Sequence, residues 1–412
     1  MYAYYGKEKI RMQPLHLLME RGHSCKLADI VKKCLRLDLL EKVTMKKNSA
    51  LMMVVLLLMA VVLTGCASDD NQAATRTITD MAGNTVEIPA SPQKIATMTG
   101  PSYEMVFMLG GKDKIGLVRS DHATGYPLAL LTNSDLPNYP TIKGVGPQTP
   151  VNAEQFLDAG VDLVLYYNNA AELEKFKMAG IPAVVVNTTT TVPTTTEEYF
   201  EQSSANLKLL SEILGGEAVE RYEKWYAYLT KNVELIAERT KDIKEEDRPV
   251  VYWGNTWGTN ILSSYSRGTR DFEMELCGGT LVAPQEGGQF PEINKEQLLE
   301  WNPDIIFVDN HGNAPELVIE DMYSNKNWES LSAVQNKQLY RIPSGVFFMD
   351  KGSTNTLVLL WTAKVLHPDL FADIDMIKEL QYYYSTFYDY DLSEEEAQKI
   401  LEGWVDAENL VR

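Results

Sequence analysis

Aromatic and arginine side chains end several of the short apolar runs in this sequence. Arg119, Tyr167 and Trp253 each close such a run. Aromatic rings suit large, flat or greasy solutes, and arginine suits carboxylate or catecholate oxygens. The same residue types also have structural uses, because a ring at a strand end is often core and Arg119, Arg267 or Arg270 can pair with acidic residues. A binding role and a structural role therefore both stay open at this point.

Catalytic motifs are missing from the sequence, which has no G-x-S-x-G, no H-E-x-x-H and no phosphate-binding glycine loop. Only three histidines follow Cys66, and His367, which precedes Pro368, is expected to be structural. This scarcity argues against a histidine cluster for bare zinc or manganese. We therefore expect no catalytic residue, no cofactor and no direct metal site, with His122 or His311 as the candidates for a single axial ligand to a metal that is already chelated.

Residues 45–65 have the pattern of a lipoprotein signal peptide. Two lysines precede an uncharged apolar run, and the sequence LTGC ends at Cys66. The run is shorter than the about 20 residues of a spanning helix, and small residues follow it. We predict cleavage and lipidation at Cys66, with an uncleaved anchor as the alternative. Met45 is then the true start, and residues 1–44 are an upstream extension.

The mature chain is strongly acidic. The 65 residues before Cys66 hold 11 of the 38 basic and 5 of the 57 acidic residues, which leaves 27 basic and 52 acidic residues and a net charge of −25. Such a surface repels nucleic acid and anionic lipid, so we expect no nucleic-acid partner. Only Cys66 and Cys277 remain after cleavage, and no internal disulfide is expected.

A stretch of nineteen residues occurs twice. Residues 151–169 and 293–311 share six identities without a gap at a separation of 142 residues. Asn152 and Asn294 fit helix N-caps, and glutamines three residues later could complete capping boxes. Glu154 and Glu296 would then stay exposed in the first turn of each helix, where they complement the helix dipole. A repeat of this kind predicts two similar lobes.

One long helix is predicted between the repeats at 217–243, because this stretch lacks Gly and Pro and spaces its apolar residues by three and four. The fold class is therefore α/β, with two Rossmann-like lobes of parallel sheet joined by one long helix. The alternatives are coincidence or a dimeric coiled coil. The predicted parts are a tether, a first lobe, a helical connector and a second lobe with a helical tail, at 66–76, 77–195, 196–247 and 248–412.

Apolar runs without alternation predict parallel strands buried on both faces. A hairpin is predicted at 77–89 around Ala82, Gly83 and Asn84. A further helix is predicted at 196–214. The predicted buried strands are 94–99, 114–119, 162–167, 182–187, 249–253, 304–309 and 338–342, and the tail helices are 353–366, 373–387 and 393–404, the last with a capping box at Ser393 and Glu396.

The chain resembles the substrate-binding lipoproteins of ABC importers that capture iron–siderophore complexes, haem and cobalamin. The likeness covers about residues 77–403 and rests on four segments: DMAGNTVEIPASPQKIATM, the paired repeat, the long helix, and LLWTAKVLHPDLF with FYDYDLSEEEAQKIL. It implies the class III periplasmic-binding-protein fold, with a rigid helix between the lobes and ligand in the cleft. Val161 departs from the pattern, since the second copy has Pro303 there.

The resemblance places the ligand in loops after the strands, on the edge that binds ligands in open α/β sheets. Glu154 and Glu296 would meet arginines of the permease. Ser120 and Asp350 lie in the same loops. The predicted ligand-binding residues are Ser102, Tyr103, Arg119, Tyr166, Tyr167, Asn168, Trp253, Asn255, Trp257, Asn310, His311, Phe347 and Met349.

The function that follows is capture of a metal chelate, a ferric siderophore above all, and its delivery to an ABC permease dimer with its ATPase subunits. Cobalamin or haem is the alternative ligand, and an extracytoplasmic enzyme or a surface scaffold is the alternative class. The protein is expected to act as a monomer outside the cytoplasm, anchored to the cell membrane through Cys66.

Overall fold

The computed structural model describes residues 2–5, 8–11, 74–143, 150–187, 195–255, 261–264, 270–284, 291–309, 315–350 and 352–404. Residues 1–72 and 73–412 form two separate compact units. In the first unit, β1 (Tyr2–Tyr5) and β2 (Glu8–Arg11) pair antiparallel. The predicted signal peptide and Cys66 lie outside the described residues. Among the helices that are described, none has both the length and the apolar character needed to cross a membrane.

The second unit begins with the predicted hairpin, formed by β3 (Thr75–Thr79) and β4 (Thr85–Pro89). The Asp80 carboxylate closes its turn by accepting the N–H groups of Ala82 and Asn84 at 2.9 and 2.8 Å. It also accepts the N–H of Val185 at 3.2 Å. The carbonyl of Val185 in turn accepts the N–H of Met81 at 3.0 Å, so two hydrogen bonds attach the turn of the hairpin to the neighbouring sheet.

The first lobe contains a five-stranded parallel sheet in the order β7-β6-β5-β8-β9. Four strands were predicted, and the two-residue β7 was not. The strands are β5 (Ile95–Thr97), β6 (Ile115–Arg119), β7 (Thr141–Ile142), β8 (Leu163–Tyr167) and β9 (Ala183–Asn187). The helices are α1 (Ser102–Met108), α2 (Ser120–Thr124), α3 (Pro127–Thr132), α4 (Ala153–Asp158) and α5 (Ala170–Met178).

Two consecutive helices join the lobes, α6 (Thr196–Leu214) and α7 (Glu217–Thr240). Gly215 and Gly216, both at positive φ, end the first of them. At 24 residues, α7 is about 36 Å long, three residues shorter than predicted. Its buried face is wider than the predicted stripe, because Trp225, Tyr228 and Asn232 are buried as well, whereas Val219 is exposed.

The second lobe has a mixed sheet in the order β11-β10-β13-β14, with β12 also paired to β10. Only β11 runs antiparallel to its neighbour. The predicted strands are present, and β11 and β12 were not predicted. The strands are β10 (Val250–Asn255), β11 (Ser263–Ser264), β12 (Thr280–Leu281), β13 (Ile305–Val308) and β14 (Leu339–Arg341), and the helices are α8 (Asp271–Leu276), α9 (Lys295–Trp301), α10 (Pro315–Ser324) and α11 (Ser332–Gln335).

The tail is helical as predicted, with α12 (Asn355–Leu366), α13 (Met376–Phe387) and α14 (Glu394–Leu401). The Ser393 and Glu396 capping box is confirmed. In the described residues, one hydrophobic cluster runs through both lobes, the long connecting helix α7 (the strut) and the tail, with members such as Leu165, Trp225, Phe307 and Tyr383. Each lobe adds a smaller cluster of its own. The two lobes are thus packed against a common core.

Candidate ligand-binding site

Arg119 and Tyr167 form a polar contact at the carboxyl edge of the first sheet. Arg119 ends β6 and Tyr167 ends β8, on either side of the central strand β5. The Arg119 Nη1 group donates to the Tyr167 hydroxyl at 3.1 Å, which spans the end of β5. Both residues are partly exposed, and Asn168 next to them is exposed. This contact brings together two predicted ligand-binding residues.

Asp121 fixes the guanidinium of Arg119 from the other side. The Nε and Nη2 groups donate to the two carboxylate oxygens at 3.0 and 2.7 Å. Burial would raise the pKa of Asp121, but His122 and Arg119 attract its charge and lower the pKa below its usual value. Burial likewise opposes the charge of Arg119, and Asp121 outweighs it, so the pKa of Arg119 is raised. The pair stays ionised, and two of the five N–H donors of Arg119 are left beyond these three bonds.

Ser102 and Tyr103 open α1, directly after the loop that follows β5, and both are fully buried. The Ser102 hydroxyl donates to the carbonyl of Thr99 at 2.8 Å. The Tyr103 hydroxyl accepts the amide of Asn133 at 3.0 Å. Burial raises the pKa of Tyr103. Their predicted contact with ligand would therefore require the surrounding side chains to move.

His122 lies inside a cage of rings. It has no exposed surface, and its ring centroid is 5.4 Å from Tyr103, 6.1 Å from Tyr126 and 5.4 Å from Phe347 of the second lobe. Neither ring nitrogen makes a well-formed hydrogen bond to the described residues. Burial lowers the pKa of His122 to about 4. A metal could reach this imidazole only if the rings moved apart.

The loop that follows β14 joins the second lobe to the first. Phe347 and Met349 in this loop are buried, and Phe347 presses against Gly100, where an added Cβ would lie 2.8 Å from the ring. Gly100 is in the loop after β5, so the carboxyl edges of the two sheets adjoin. Phe348 also packs edge-on against Tyr126 of the first lobe at 5.4 Å. This loop therefore forms part of the floor between the lobes.

Arg270 is the matching cation of the second lobe. It stacks over the Trp253 ring at 4.5 Å and donates to Asp350 at 2.7 Å and to Glu273 at 2.5 Å. Arg270, Trp253 and Asp350 are all buried. Of the two roles left open for Arg270, the structural one, pairing with acidic residues, is confirmed. The sequence signal for this pairing is the spacing of three residues between Arg270 and Glu273 at the start of α8.

Tyr166 lies in the first-lobe core, fully buried and edge-on to Phe176 at 5.3 Å. It points away from the contact between the lobes into a different hydrophobic cluster from Phe347. Asn255 ends β10, and its predicted contact with ligand stays a prediction. Trp257, Asn310 and His311 lie outside the described residues, so their predicted contacts with ligand stay predictions.

Glu104 connects the lobes and was missed by the sequence analysis. Its carboxyl, on α1, accepts the backbone N–H of Ser353 at 3.1 Å and the hydroxyls of Ser353 and Tyr388. Burial raises the pKa of Glu104 against the effect of these donors. Gly352 is at φ +66°, and a Cβ there would lie 2.4 Å from the carboxylate. A buried acid amid apolar α1 residues gave no sequence signal, because its partners are about 250 residues away.

The two repeat helices begin at the carboxyl edges of the sheets. The N–H of Val151 donates to Glu172 at 2.8 Å, and Glu172 lies in the first turn after β8. Before α9, the N–H of Ile293 donates to the carbonyl of Leu262, close to the end of β10. Glu154 and Glu296 are exposed in the first turns. Asn152 and Asn294 are confirmed as N-caps, but the predicted capping boxes are wrong, since the Asn152 side chain accepts the N–H of Glu154 and the Gln297 side chain donates to Glu300.

A direct site for bare metal does not emerge from the described part of the chain, where no three His, Cys, Asp or Glu side chains cluster as metal ligands.

Residues 95–346 match the family described as periplasmic binding protein. The chain belongs to the periplasmic binding protein family. It shares the fold of its structurally known members, which confirms the predicted class III architecture.

Three similar proteins illustrate the range of this periplasmic binding protein family. The molybdate-binding protein MolA of Haemophilus influenzae is 24% identical over 76% of this chain and 91% of its own, and its molybdate-bound structure superposes with a TM-score of 0.67, at 23% identity over 77% and 99% of the two chains. A vitamin B12-binding protein of Vibrio cholerae is 22% identical over 62% and 82%. An Fe3+-hydroxamate transport protein of Saccharomonospora viridis gives a TM-score of 0.55 at 19% identity over 71% and 98%.

This periplasmic binding protein is accordingly a solute-binding protein of ABC transport, with an ABC permease and a small molecule as its partners. The proteins found by similarity are transport proteins and not enzymes. Their named solutes differ from one another, so the solute of this chain has to be argued from its own residues.

Proposed function

We propose that this protein captures a metal chelate, a ferric siderophore in the first place, between its two lobes and delivers it to an ABC permease. The observation that carries the proposal is the Arg119 and Tyr167 contact at the carboxyl edge of the first sheet. It presents a phenol and two remaining guanidinium donors beside the loop of the second lobe. Oxygen atoms on the outside of a wrapped metal are suitable acceptors for these groups.

A chelate fits this site better than a bare metal. The described residues supply aromatic rings and hydrogen-bond donors at the carboxyl edges, and they supply no cluster of metal ligands. A metal that is already coordinated by its chelator needs no such cluster. Cobalamin is the second candidate, favoured by the similarity to vitamin B12-binding proteins.

Fluorescence quenching tests the ligand class. The purified protein is titrated with ferric siderophores, haem, cobalamin and molybdate, and a siderophore complex should quench the tryptophan and tyrosine emission with saturation. Arg119→Gln should weaken that binding by about 10- to 100-fold, as for an anchor at a binding hot spot. Arg239→Gln is the matched control, because Arg239 forms a similar paired contact with Asp373 at 2.6 and 2.9 Å, far from the site. Saturable binding of none of the chelates would refute the proposal.

Glu154 and Glu296 are proposed to dock the permease. They occupy equivalent first turns and are exposed, which leaves them free to meet arginines of the two permease subunits. Replacing both with Ala should leave chelate affinity unchanged and reduce uptake, and Arg at both positions should reduce it further. Normal uptake by the double Ala variant would favour the helix-dipole role.

Cys66 is proposed to carry the lipid anchor of a monomeric protein outside the cytoplasm. Cys66→Ser should release the protein into the soluble fraction, because its acidic surface has no affinity for anionic lipid. Mass spectrometry of the native protein should find a lipidated N-terminal Cys66. Peptides from residues 1–44 in the mature protein would contradict the predicted start at Met45.

A further inference from the structure

A single turn of 3-10 helix at residues 352–354 is bound by three parts of the molecule. Glu104 of the first lobe accepts the backbone N–H of Ser353 at 3.1 Å, together with the Ser353 hydroxyl. The indole N–H of Trp225, on the strut, donates to the Ser353 carbonyl at 2.9 Å. The hydroxyl of Tyr383, on the tail helix α13, donates to the Ser353 hydroxyl at 2.6 Å. Ser353 has no exposed surface, so its polar groups are satisfied by the first lobe, the strut and the tail together.

Tyr388, at the end of α13, adds a second contact between the tail and Glu104. Its hydroxyl donates to the same carboxyl oxygen that accepts the Ser353 hydroxyl. Its ring stacks on Phe107 of α1 at 5.5 Å. Burial raises the pKa of Tyr388, and the charge of Glu104 raises it further, so this hydroxyl stays a donor. Glu104 is therefore the point at which the first lobe binds both the turn and the tail.

Gly352 allows the Glu104 carboxyl to reach the turn. Its φ of +66° is a conformation that residues with a side chain rarely adopt. An added Cβ would lie 2.4 Å from the Glu104 Oε2 atom and 3.2 Å from the Cβ of Pro101. Replacing Gly352 with Ala would consequently disturb the contact without changing either of its hydrogen-bonding partners.

The turn follows closely on the loop of the second lobe that contacts the first lobe, residues 342–350, here called the inter-lobe loop. Near its start, the N–H of Ser344 donates to the carbonyl of Ile400 on α14 at 3.0 Å. The N–H of Met349 donates to the carbonyl of Pro343 at 3.3 Å, which closes the loop on itself. The Thr354 hydroxyl donates to the Met349 carbonyl at 3.4 Å and connects the loop to the turn. The position of the loop thus depends on what holds the turn.

The inter-lobe loop also supports Arg119 from below. The ring of Phe347 lies edge-on to His122, with 5.4 Å between the ring centroids. His122 directly follows Asp121, whose two oxygens bind the Arg119 guanidinium at 3.0 and 2.7 Å. A displacement of the loop would therefore change the packing beneath the residues that present Arg119 to a ligand.

We infer that Glu104 is a positioning residue of the ligand site: through Ser353 it holds the inter-lobe loop of the second lobe where the chelate needs it. The inference rests on the proposed function and adds a residue that acts without touching the ligand, since Glu104 is 1% exposed. A loop that is already ordered in the free protein does not have to be ordered when the ligand binds, and this preorganisation increases affinity.

Hydrogen exchange tests the contact without any ligand. In the full-length protein, the amides of residues 343–356 should exchange about tenfold faster or more in Glu104→Ala and in Gly352→Ala than in the wild type, because both changes release the turn. The amides of β5 to β9 should exchange as in the wild type. Unchanged exchange of residues 343–356 in both folded variants would refute the inference.

A pair of tyrosine variants separates positioning from stability. Tyr388→Phe removes a hydroxyl that donates to Glu104, and the control Tyr228→Phe removes one that donates to Glu379 at 2.8 Å, between the strut and the tail. Both tyrosines are buried. Their melting temperatures should therefore fall by similar amounts, because each variant loses one hydrogen bond to a glutamate.

Ligand affinity should distinguish the two variants. Fluorescence quenching is measured with a ferric tris-hydroxamate, a ferric tris-catecholate and cobalamin, and the probe that the wild type binds most tightly is used for the variants. Tyr388→Phe should raise its dissociation constant by about 3- to 10-fold, because the loop is held less firmly, and Tyr228→Phe should leave it within about twofold.

Replacing Glu104 itself should give a graded loss of affinity. Glu104→Ala removes all three contacts and should raise the dissociation constant by about tenfold or more. Glu104→Gln keeps a carbonyl oxygen for the two hydroxyls and loses only the acceptor for the Ser353 N–H, so the increase should be about threefold. A Gln variant as weak as the Ala variant would contradict the assigned hydrogen bonds.

The outcomes separate this inference from the proposed function. Binding of no probe by the wild type overturns the proposed function, and hydrogen exchange then decides by itself whether Glu104 holds the loop. Equal affinity of the wild type and a folded Glu104→Ala variant overturns the positioning role and leaves the proposed function standing. Equal losses of affinity in Tyr388→Phe and Tyr228→Phe also overturn it, because they would reflect stability alone. If Glu104→Ala does not fold, Gly352→Ala and Tyr388→Phe decide the question.

Discussion

The two copies of the repeat reach the same backbone conformation with different residues. Gly160 after α4 has φ +67°, and Asn302, its counterpart after α9, has φ +42°. Glycine and asparagine are the residues that most readily adopt this left-handed conformation, so the substitution preserves the turn. The N-caps agree in type but not in partner, since Asn152 accepts the N–H of Glu154 and Asn294 accepts that of Gln297. Conformation, more than residue identity, is what the two lobes share.

The aspartate that the two copies share, Asp162 in the first and Asp304 in the second, binds the backbone of a neighbouring strand in each lobe. Asp162 accepts the N–H groups of Gln93 and Lys94 at 2.7 and 2.9 Å, and its own N–H donates to the carbonyl of Lys94. Asp304 accepts the N–H of Val250 at 2.9 Å and donates its own N–H to that residue's carbonyl. Each aspartate thereby fixes the start of a neighbouring strand, at the edge opposite the proposed site.

The carboxyl edges of the two sheets, which carry Arg119 and Arg270, differ more than the opposite edges, where the shared aspartates lie. Arg119 is 15% exposed at its side chain and has one carboxylate partner, whereas Arg270 is 6% exposed and has two. The first lobe can thus offer its arginine to a ligand, while the second lobe uses its arginine to hold Asp350, Glu273 and Trp253 together. This difference leads to four predictions on stability.

The largest effect is expected from the two arginines. Arg270→Met should lower the free energy of unfolding by about 4 kcal/mol, because it leaves two buried carboxylates without their cation. Arg119→Met should lower it by about 2 kcal/mol, since it leaves one buried carboxylate, Asp121, without its cation instead of two. Denaturant unfolding at pH 7 measures both, and equal losses would contradict the comparison.

His122 gives the first lobe a sensitivity to acid. Burial lowers its pKa from 6.5 to about 4, so the folded state binds fewer protons than the unfolded state. Its contribution to stability is complete above pH 6.5 and is lost as the pH falls through the window from 6.5 to 4, up to about 3 kcal/mol. His122→Phe should remove that part of the pH dependence. Parallel stability curves for the variant and the wild type over this range would refute the assignment.

The paired aspartates should differ by the number of their contacts. Asp162→Ala loses two hydrogen bonds to backbone N–H groups and should destabilise the protein by about 2 kcal/mol, whereas Asp304→Ala loses one and should cost about 1 kcal/mol. Denaturant midpoints at constant slope give the comparison. A larger loss for Asp304→Ala than for Asp162→Ala would contradict the dependence on the number of hydrogen bonds.

The smallest effect is expected from the N-caps. Asn152→Ala and Asn294→Ala should each reduce the free energy of unfolding by about 1 kcal/mol, because each removes one acceptor from a helix N-terminus. The losses should be equal even though the accepted N–H groups differ. Asn→Asp at either position should restore stability, and failure to do so would indicate a role other than capping.

Local patterns were sufficient for most of the elements. Buried parallel strands appear as uninterrupted apolar runs, and α6 was placed at its observed bounds because Gly215 and Gly216 stop it. The short strands β7, β11 and β12 were missed, since two residues paired to a neighbour leave no periodic signal. The strut was predicted with too narrow a buried face, because packing on α6, α12 and the lobes covers more than one stripe.

The sequence by itself determined the family, the two-lobe α/β fold, the strut and the places where the strands end, because each depends on local periodicity or on motifs in a fixed order. Tertiary structure decided which strand-end residues meet. It paired Arg119 with Tyr167 across β5, enclosed His122 and Phe347 in the contact between the lobes, and connected Glu104 to Ser353. The physical reason is that burial and ion pairing depend on neighbours far apart in the chain, and no local pattern specifies them.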